Sequence, residues 1–381
     1  MKLAIVSPYP PEISGIGQYG LRMANGLAQS GRFDEVLVLA NRAPDAPEME
    51  RQGALNVHRV WDRDHEAARA VMAAVRQWRP DVVWFNIGLT TFGKSRLHNF
   101  LGMALPMLAR SAHFPTVVTL HEILESSDLR ALGAVNGRVT HWGGRAATRL
   151  ILQADTVCLT LQSYQRLVRQ QYGARNVVHL PHGALDDPRF TPLSGEKRIL
   201  MFGTYGPYKG LPELIDMFRG LRQADPAVTL TVAGSDHPRF PGYLNRIRSG
   251  VNGLPGLDWT MNLPEDEIPA TFARARVVAL PSTATTGASS VVHRAASHGR
   301  PVVAFDLPDL RAVSAEENLR IEFVPPGDTA EFAARLRNML DDPAQCEAVG
   351  RANVAAMQTM TLDSTCRRYI QLFDDAFARR K

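Results

Sequence analysis

The sequence predicts an α/β protein with two doubly wound domains, in each of which helices cover both faces of a parallel sheet. Three observations support this fold class. The chain has 381 residues, which exceeds the usual size of one compact core. Short apolar runs alternate with amphipathic stretches from end to end. A segment rich in Pro, Gly and Asp, at 181–192, separates two such series and predicts an interdomain hinge near residues 184–195.

The apolar runs are typical of strands that are buried on both faces of a parallel sheet. In the first series the predicted elements are strands at 2–7, 35–40, 81–85 and 115–120, with helices at 17–30 and 65–78. In the second series they are strands at 198–202, 229–233, 277–280 and 301–305, with helices at 211–224 and 267–275. An amphipathic helix pattern ends the chain. We therefore predict an N-terminal domain at 1–187, a C-terminal domain at 188–360 and a terminal helix at 361–381.

Composition and charge limit the functional classes to which the chain can belong. Hydrophobic residues make up 45% and charged residues 21%, which is ordinary for a globular protein with a sizeable core. The net charge of +5 suits a phosphate-bearing ligand or an acidic membrane surface. Without a clustered basic patch it does not favour nucleic acid, so we expect no nucleic-acid partner. The widely spaced Cys158, Cys346 and Cys366 predict free thiols and no metal site.

The segment 280–304 is the most informative part of the sequence. An apolar strand passes through a loop of small residues into a helix that stops at Gly299, before another apolar run. Free backbone N–H groups and the helix dipole favour an anion at the start of such a helix. Small residues let these N–H groups approach phosphate oxygens, and serine hydroxyls can add donors or cap the helix. The loop residues with these properties are Gly287, Ser289, Ser290 and Val291.

Two further candidates follow strands of the first domain. Gly15 and Gly17 lie between the first strand and the first helix, where glycine lets the backbone approach a ligand closely. A tight strand-to-helix turn would need the same glycines, so the pattern leaves both interpretations open. His121 follows the fourth strand, at the sheet edge where a histidine more often points into a ligand crevice than into the core. A hydrogen-bonded structural histidine is the alternative.

The first strand of the second domain leads into a loop that contains Gly203, Thr204 and Lys209. Lys209 is followed by Gly210 and an apolar helix. A lysine in such a loop can place a compact ammonium group on an anionic ligand. The alternative is a solvated loop lysine.

These motifs resemble the retaining glycosyltransferases with two Rossmann-like domains, which have the GT-B fold and are of the group 1, family 4 type. The Lys209 loop is the strongest match, and the segments 7–20 and 280–304 match in layout. The resemblance implies a C-terminal helix that packs back on the N-terminal domain. It also implies that a nucleoside diphosphate sugar binds in the crevice between the domains, mainly through the second domain. No metal and no cofactor are required.

The resemblance assigns roles to individual positions. His121 would lie beside the donor sugar and donate a hydrogen bond, with Glu122 as a weaker candidate for positioning the acceptor. Lys209 would contact the diphosphate, and backbone groups at 261–263 would pair with the nucleobase, although any α/β unit needs such a loop. The implied donor-binding residues are Gly15, Gly17, Gly203, Thr204, Met261, Asn262, Leu263, Thr286, Gly287, Ser289, Ser290, Val291 and Arg294.

Three positions depart from the family pattern. The family carries two glutamates eight positions apart where this chain has Thr286 and Arg294, and an arginine where it has Thr204. Unlike a glutamate, Arg294 cannot accept hydrogen bonds from ribose hydroxyls. We expect either that Arg294 replaces the cation missing at Thr204 and contacts the diphosphate, or that it pairs with an acid such as Asp306 or Asp309 and closes the site.

The function predicted from the resemblance is transfer of a sugar, as by a hexosyltransferase, from a nucleoside diphosphate sugar to a hydroxyl acceptor with retention of configuration. The acceptor would be a glycan, a lipid-linked molecule or a small molecule. In a front-face substitution the leaving diphosphate takes the acceptor proton, and the protein contributes charge stabilisation and positioning. Two alternatives remain open: a nucleotide-sugar epimerase, which would need carboxylates to abstract a proton, and a non-catalytic copy that serves as a partner or a nucleotide-binding module.

Location is predicted from the hydrophobic pattern. No run of about 18 apolar residues occurs, and Ser7 and Pro8 break the opening apolar stretch too soon for a secretory signal. We therefore expect a cytoplasmic protein, including at the inner face of the membrane. The segment 94–110 mixes cations with a long apolar stretch in the domain by which the family often docks on membranes. It predicts weak, salt-sensitive association with anionic membranes, or else an ordinary amphipathic core helix.

Overall fold

A computed structural model describes residues 1–380 apart from Ile13, Asp45, His65, Lys94, 124–137, Asn252 and Thr286, and only the backbone of residues 138–141. The chain divides into two compact units, Met1–Pro181 with Leu362–Lys381, and His182–Thr361. The first unit thus ends at Pro181, before the predicted boundary at residue 187, and it includes the C-terminal helix.

The first unit is a parallel sheet with one antiparallel strand at its edge. Its strands are β1 (Lys2–Val6), β2 (Glu35–Asn41), β3 (Met49–Gln52), β4 (Leu55–Trp61), β5 (Val82–Ile87), β6 (Thr116–Leu120), β7 (Thr156–Leu159) and β8 (Val177–His179). Their order in the sheet is β3-β4-β2-β1-β5-β6-β7-β8. Only the β3–β4 pair of these described strands is antiparallel. The helices that accompany the sheet are α1 (Gly15–Gln29), α2 (Ala67–Trp78), α3 (Arg96–Met103), α4 (Leu105–Ser111), α5 (Arg138–Ile151) and α6 (Gln162–Tyr172).

The second unit has a smaller, parallel sheet. Its strands are β9 (Lys197–Tyr205), β10 (Val228–Asp236), β11 (Leu257–Met261), β12 (Val277–Leu280), β13 (Val302–Phe305) and β14 (Glu322–Val324). Their order is β11-β10-β9-β12-β13-β14. The helices are α7 (Leu211–Ala224), α8 (Tyr243–Gly250), α9 (Ile268–Arg274), α10 (Ser290–Ser297), α11 (Pro308–Glu316), α12 (Thr329–Asp341) and α13 (Pro343–Gln358), and the 3₁₀ turn Pro207–Lys209 follows β9.

The terminal helix, α14 (Leu362–Ala378), belongs to the core of the first unit. The Tyr369 hydroxyl lies 2.7 Å from the Thr119 hydroxyl and 3.1 Å from the Tyr19 hydroxyl, all three in the interior. The Tyr369 ring also packs against Trp84, with 4.8 Å between ring centroids. On the facing helix, a Cβ added at Gly26 would come within 2.7 Å of Cys366 Sγ. Glycine at this position therefore lets α14 pack closely on α1.

The predicted fold class is confirmed. Every strand predicted from an apolar run is present, because side chains buried on both faces of a parallel sheet give a continuous apolar pattern. The strands that no apolar run predicted are β3, β4, β7, β8, β11 and β14. Four of these, β3, β7, β8 and β14, span only three or four residues, and β4 contains the polar residues His58 and Arg59. The predicted start of the second helix, His65, lies outside the described residues.

Each sheet has a point at which the order of its strands reverses. In the first unit this point lies between β1 and β5, and in the second between β9 and β12. Open α/β sheets bind ligands outside the carboxyl ends of the strands at such switch points. The loops that follow these four strands therefore contain the most promising site residues.

Candidate functional site

The switch point of the first unit contains polar side chains in an otherwise apolar interior. Ser7 follows β1, Asn86 lies near the end of β5, and His121 follows β6. Asn86 Nδ2 donates to Ser7 Oγ at 2.9 Å, and Asn86 Oδ1 lies 2.6 Å from His121 Nε2. The ends of β1, β5 and β6 are thus linked by one hydrogen-bonded chain of side chains.

The imidazole of His121 is held in a desolvated setting. The Tyr19 ring of α1 meets it edge-on, with 4.9 Å between ring centroids. Burial lowers the pKa of His121 to about 4, because the charged form loses its hydration. The ring is therefore neutral at neutral pH. Glu122, the next residue, accepts a hydrogen bond from the Leu89 backbone N–H at 2.9 Å.

Gly15 and Gly17 form the start of α1. Gly15 is exposed, whereas Gly17 is buried and its N–H donates to the side chain of the N-cap residue Ser14 at 3.1 Å. A Cβ at Gly17 would meet Ser14 Oγ at 2.9 Å and the Pro8 carbonyl oxygen at 3.4 Å. Gly17 thus serves a tight strand-to-helix turn, while Gly15 presents its backbone at the surface.

In the second unit, Lys209 ends the 3₁₀ turn that follows β9. The turn is fixed against the loop after β12, because the Thr283 N–H donates to the Tyr208 carbonyl at 2.9 Å. Gly210 has a φ of 70°, and a Cβ there would meet the Pro281 carbonyl oxygen at 2.1 Å. A glycine is therefore needed after Lys209 for both its conformation and this close packing. The loops on the two sides of the switch point lie in direct contact.

The ammonium group of Lys209 lies over the Tyr208 ring, 5.6 Å from its centroid. The side chain is half-buried, and burial lowers the pKa of Lys209 to about 8. The ammonium is thus still charged at neutral pH, but it is poorly solvated. A poorly solvated cation gains more from an anionic ligand than a fully hydrated one does.

Gly203 and Thr204 are half-buried and lie near the C-terminal end of β9. A Cβ at Gly203, where φ is 138°, would lie 3.6 Å from a methyl group of Val291 in α10. In the neighbouring strand, Gly234 has no room for a side chain, since its Cβ would meet the Gly203 carbonyl oxygen at 1.9 Å. The end of β9 thus packs directly against the first turn of α10.

The start of α10 differs in part from the prediction. Ser289 is the N-cap residue, with a φ of 52° and no side-chain capping bond, and Ser290 begins the helix. The N–H of Gly287 donates to a carboxylate oxygen of Asp309 at 3.2 Å, so this amide already has an anionic partner. Val291 is buried, and Thr286 lies outside the described residues. Ser289 therefore does not cap the helix through its hydroxyl.

The turn after β11 contains the three residues predicted to meet a nucleobase. Met261 ends the strand and is half-buried, whereas Leu263 is buried in the core. Asn262 is exposed, has a φ of 52°, and donates its N–H to the Gly234 carbonyl at 2.7 Å. That N–H is thus used to close the turn. The three residues stay predictions as base-binding groups.

Two family models match this chain. The model described as "Glycosyl transferase 4-like domain" matches residues 14–183, and the model described as "Glycosyl transferases group 1" matches residues 196–342. Together the matches cover the whole of the second sheet and all of the first sheet except β1. The chain belongs to the GT-B glycosyltransferases.

Relatives of this glycosyltransferase align along nearly its whole length. It is 24% identical over 412 residues to a glycogen synthase of Mycobacterium tuberculosis, covering 95% of this chain and 91% of that protein. The structure is similar to sucrose-phosphate synthase from Thermosynechococcus elongatus, with a TM-score of 0.78, 17% identity and full coverage of both chains. It is also similar to Anabaena HepE in complex with UDP-glucose, with a TM-score of 0.70 and 18% identity over 98% of this chain and 100% of that chain.

Arg294 is the main departure of this glycosyltransferase from the sequence-based predictions. It is fully buried in α10, and its Nη1 donates to both carboxylate oxygens of Asp186 at 3.1 Å. Its Nη2 donates to Glu265. The acid partners are thus not the expected ones: Asp309 accepts from Gly287, and Asp306 pairs with the exposed Arg311. A guanidinium enclosed by two carboxylates does not match the predicted role of a diphosphate clamp.

A second buried ion pair lies on the same helix. His293 Nε2 lies 2.6 Å from a carboxylate oxygen of Glu317, and both side chains are almost completely buried. Burial alone would lower the pKa of His293, but the Glu317 carboxylate outweighs it and the pKa is raised. The ring of His182 packs beside this ring at a tilt of 35°, with 4.7 Å between centroids. Two polar side chains of α10, His293 and Arg294, are therefore paired with acids inside the second unit.

Sequence reasoning missed the partners rather than the positions. Asn86 had a visible signal, because it is a polar residue at the end of an otherwise apolar strand. The sequence places Asp186 in the predicted hinge, and no local pattern indicates that Asp186 and Glu265 bind the same arginine. They meet at Arg294, which lies 108 and 29 residues away from them in the chain.

Proposed function

We propose that this glycosyltransferase is a retaining hexosyltransferase that uses a nucleoside diphosphate sugar and a hydroxyl acceptor without a metal ion. The observation that carries the proposal is the switch point of the second sheet. There the Lys209 turn and the loop leading to α10 are in contact, and Lys209 is a poorly solvated cation. The relative HepE binds UDP-glucose on a similar fold, which supports a donor of this class.

In the proposed reaction, the bond between the anomeric carbon and the diphosphate oxygen breaks as the acceptor oxygen attacks from the same face. The acceptor proton passes to the leaving diphosphate. Lys209 stabilises the charge that develops on this leaving group, and backbone N–H groups at the start of α10 add to that stabilisation. This chemistry needs charge stabilisation and positioning, and no protein nucleophile.

The competing function is a non-catalytic copy of a glycosyltransferase that retains nucleotide binding or serves as a partner. Two contacts favour it: Asp309 holds the Gly287 amide, and Asp186 and Glu265 enclose Arg294. A donor that uses the Gly287 amide would have to displace the Asp309 carboxylate. Turnover of a bound donor separates the two functions, since the non-catalytic copy binds without transfer. An epimerase would instead convert a nucleotide sugar without any acceptor.

Calorimetric titration of UDP-, GDP- and ADP-sugars against the full-length protein tests the donor. Lys209→Ala should weaken binding by about 1 to 3 kcal/mol, because an ammonium–phosphate contact is lost. Lys197→Ala is the matched control, since Lys197 begins the same strand and pairs with Asp225 and Asp341. Equal affinities in the two variants would contradict the assignment of Lys209. The anomeric configuration of the product, read by NMR, tests retention.

Weak association with anionic membranes is a further part of the proposal. Four apolar side chains of α3, α4 and α5 are exposed: Leu97 (62%), Leu101 (38%), Leu108 (40%) and Trp142 (75%). The exposed cations Arg96 and Arg145 lie on two of the same helices. Exposed apolar side chains accompanied by cations favour an acidic lipid surface. None of the described helices is long and apolar enough to cross a membrane.

A further inference from the structure

The side chain of Asn86 joins three elements at the switch point of the first unit. It is fully buried in β5. Its Nδ2 donates to Ser7 Oγ at 2.9 Å and to the Ile16 carbonyl, in the first turn of α1, at 3.0 Å. Its Oδ1 lies 2.6 Å from Nε2 of His121. All of the polar atoms of this amide therefore have defined neighbours.

These neighbours fix the orientation of the amide. The Ile16 carbonyl can only accept a hydrogen bond. The Ser7 hydroxyl gives its proton to the Pro8 carbonyl at 2.7 Å, so it presents a lone pair to Asn86. If the amide were turned over, its oxygen would face two acceptors. Nδ2 must therefore point to Ser7 and Ile16, and Oδ1 must point to the imidazole.

The orientation of the amide decides the tautomer of the ring. Since Oδ1 is an acceptor, Nε2 of His121 must be the donor and carry the proton. We propose that Asn86 is a positioning residue that holds His121 as the neutral Nε2–H tautomer, with the lone pair on Nδ1. If His121 contacts the substrate, as the proposed function requires, a substrate hydroxyl that reaches Nδ1 donates to the ring. The expected donation from His121 to the sugar is thereby reversed.

The surroundings of the ring support a neutral state. Among the described residues, Tyr19 on α1 packs on the ring and its hydroxyl lies 3.1 Å from that of Tyr369, while Glu122 follows His121 and its carboxylate accepts the Leu89 N–H. Burial disfavours the imidazolium form. A Cβ at Gly20 would come within 2.3 Å of Ser7 Oγ and 3.0 Å of Asn86 Nδ2. The packing therefore leaves the amide little freedom to rotate.

Long-range ¹H–¹⁵N NMR of the full-length protein reads the tautomer directly. The variant His121→Gln assigns the His121 signals, and the other histidines serve as internal references. In the wild type we expect a protonated Nε2 and an unprotonated Nδ1 that persist from about pH 8 to about pH 5. A proton on Nδ1, or a rapid mixture of tautomers, overturns the proposal. This measurement requires neither a ligand nor a variant of Asn86.

Two substitutions show whether Asn86 is the cause. Asn86→Asp places a carboxylate on Nε2 and should raise the pKa of His121 by about 1 to 3 units. Asn86→Leu removes the acceptor and should give a mixture of tautomers. Asn25→Asp is the matched control, because Asn25 lies in α1 and its side chain donates locally, to the Leu21 carbonyl. An unchanged tautomer and pKa in Asn86→Leu overturn the proposal, and if that variant fails to fold, the pKa in Asn86→Asp decides.

Turnover and nucleotide binding separate this inference from the proposed function. Asn86→Leu should lower kcat by about tenfold or more through loss of ring positioning, while the affinity for the nucleotide alone stays unchanged. If no nucleotide binds to the wild type, the proposed function fails but the tautomer result stands. If nucleotide binds and the ring carries its proton on Nδ1, the inference fails and the proposed function stands.

Discussion

The two switch points of this glycosyltransferase hold different kinds of polar groups, which are neutral in the first unit and charged in the second. In the first unit, Ser7, Asn86 and His121 form a chain of neutral groups joined by short hydrogen bonds. In the second unit the groups are charged: Lys209 remains a cation, and Arg294 lies between Asp186 and Glu265. Neutral groups can be buried without a counter-charge if each one is hydrogen-bonded. Buried charges require partners, and removing one partner is costly.

This difference separates geometry from electrostatics. The neutral chain fixes direction, because each donor and acceptor has one compatible neighbour. In the second unit, Lys209 supplies a positive charge where the proposed diphosphate would bind, and the Arg294 cluster contributes to stability. We expect substitutions in the first unit to change ring geometry and turnover, and substitutions in the second to change stability or nucleotide affinity. The predictions that follow test this division, beginning with the largest effect.

Removal of the buried guanidinium should give the largest change. Arg294→Met would leave the carboxylates of Asp186 and Glu265 without their shared cation, and we expect a loss of about 3 to 5 kcal/mol in the free energy of unfolding. Arg219→Met is the control, because Arg219 pairs with Asp216 at the surface and should cost at most about 1 kcal/mol. Urea unfolding followed by circular dichroism measures both. Equal losses in the two variants would show that the buried pair is not needed for stability.

A smaller loss of stability is expected when a single methyl group is added beside Ser7 and Asn86. In Gly20→Ala the new Cβ would approach Ser7 Oγ to 2.3 Å, so either α1 or the Ser7–Asn86 pair must move. Overpacking of this kind costs about 1 to 3 kcal/mol. Gly220→Ala in α7 is the control, since no described atom lies within 4 Å of a Cβ there, and alanine favours the helix. If both variants are as stable as the wild type, the packing around Ser7 and Asn86 is less tight than these distances indicate.

The polar groups at the switch points also differ in how far the sequence predicts them. Lys209 and the glycines beside it are predicted from the resemblance to the family motif, which is visible in the sequence because a turn between a strand and a helix is determined locally. The Arg294 cluster is not, since Asp186 lies before β9, Glu265 follows β11, and only the fold brings them together. Arg59 is a similar case: this arginine is buried in β4 and lies 2.8 Å from Glu50 of β3. Because a charged residue interrupts the apolar pattern, β4 is not predicted from the sequence. Sequence patterns indicate where the chain turns, but not which distant acid neutralises a buried base.

The charge of Lys209 should make nucleotide affinity depend on pH. Its pKa is lowered to about 8, so the free protein loses this cation as the pH rises through 8. An anionic ligand favours the charged form, so affinity should be highest below pH 8 and should fall above it by up to about tenfold per pH unit. Titration of an intact nucleotide sugar between about pH 7 and pH 9 measures this. Lys209→Ala should flatten the profile, and an equally steep decline in that variant would assign the titration to another group.

The smallest effect is expected at the exposed apolar surface of the first unit. Trp142 is 75% exposed on α5, and a tryptophan that inserts at a lipid headgroup boundary gains from its apolar ring and its indole N–H. Trp142→Ser should lower partitioning onto anionic vesicles by about fivefold, equivalent to roughly 1 kcal/mol. Met49→Ser is the matched control, because Met49 is 68% exposed on β3, away from these helices, and its loss should have no effect. Since the cations Arg96 and Arg145 would add an electrostatic part, association should also weaken with salt. Equal binding to neutral and anionic vesicles would remove that electrostatic part, and equal binding by the two variants would place the membrane contact elsewhere.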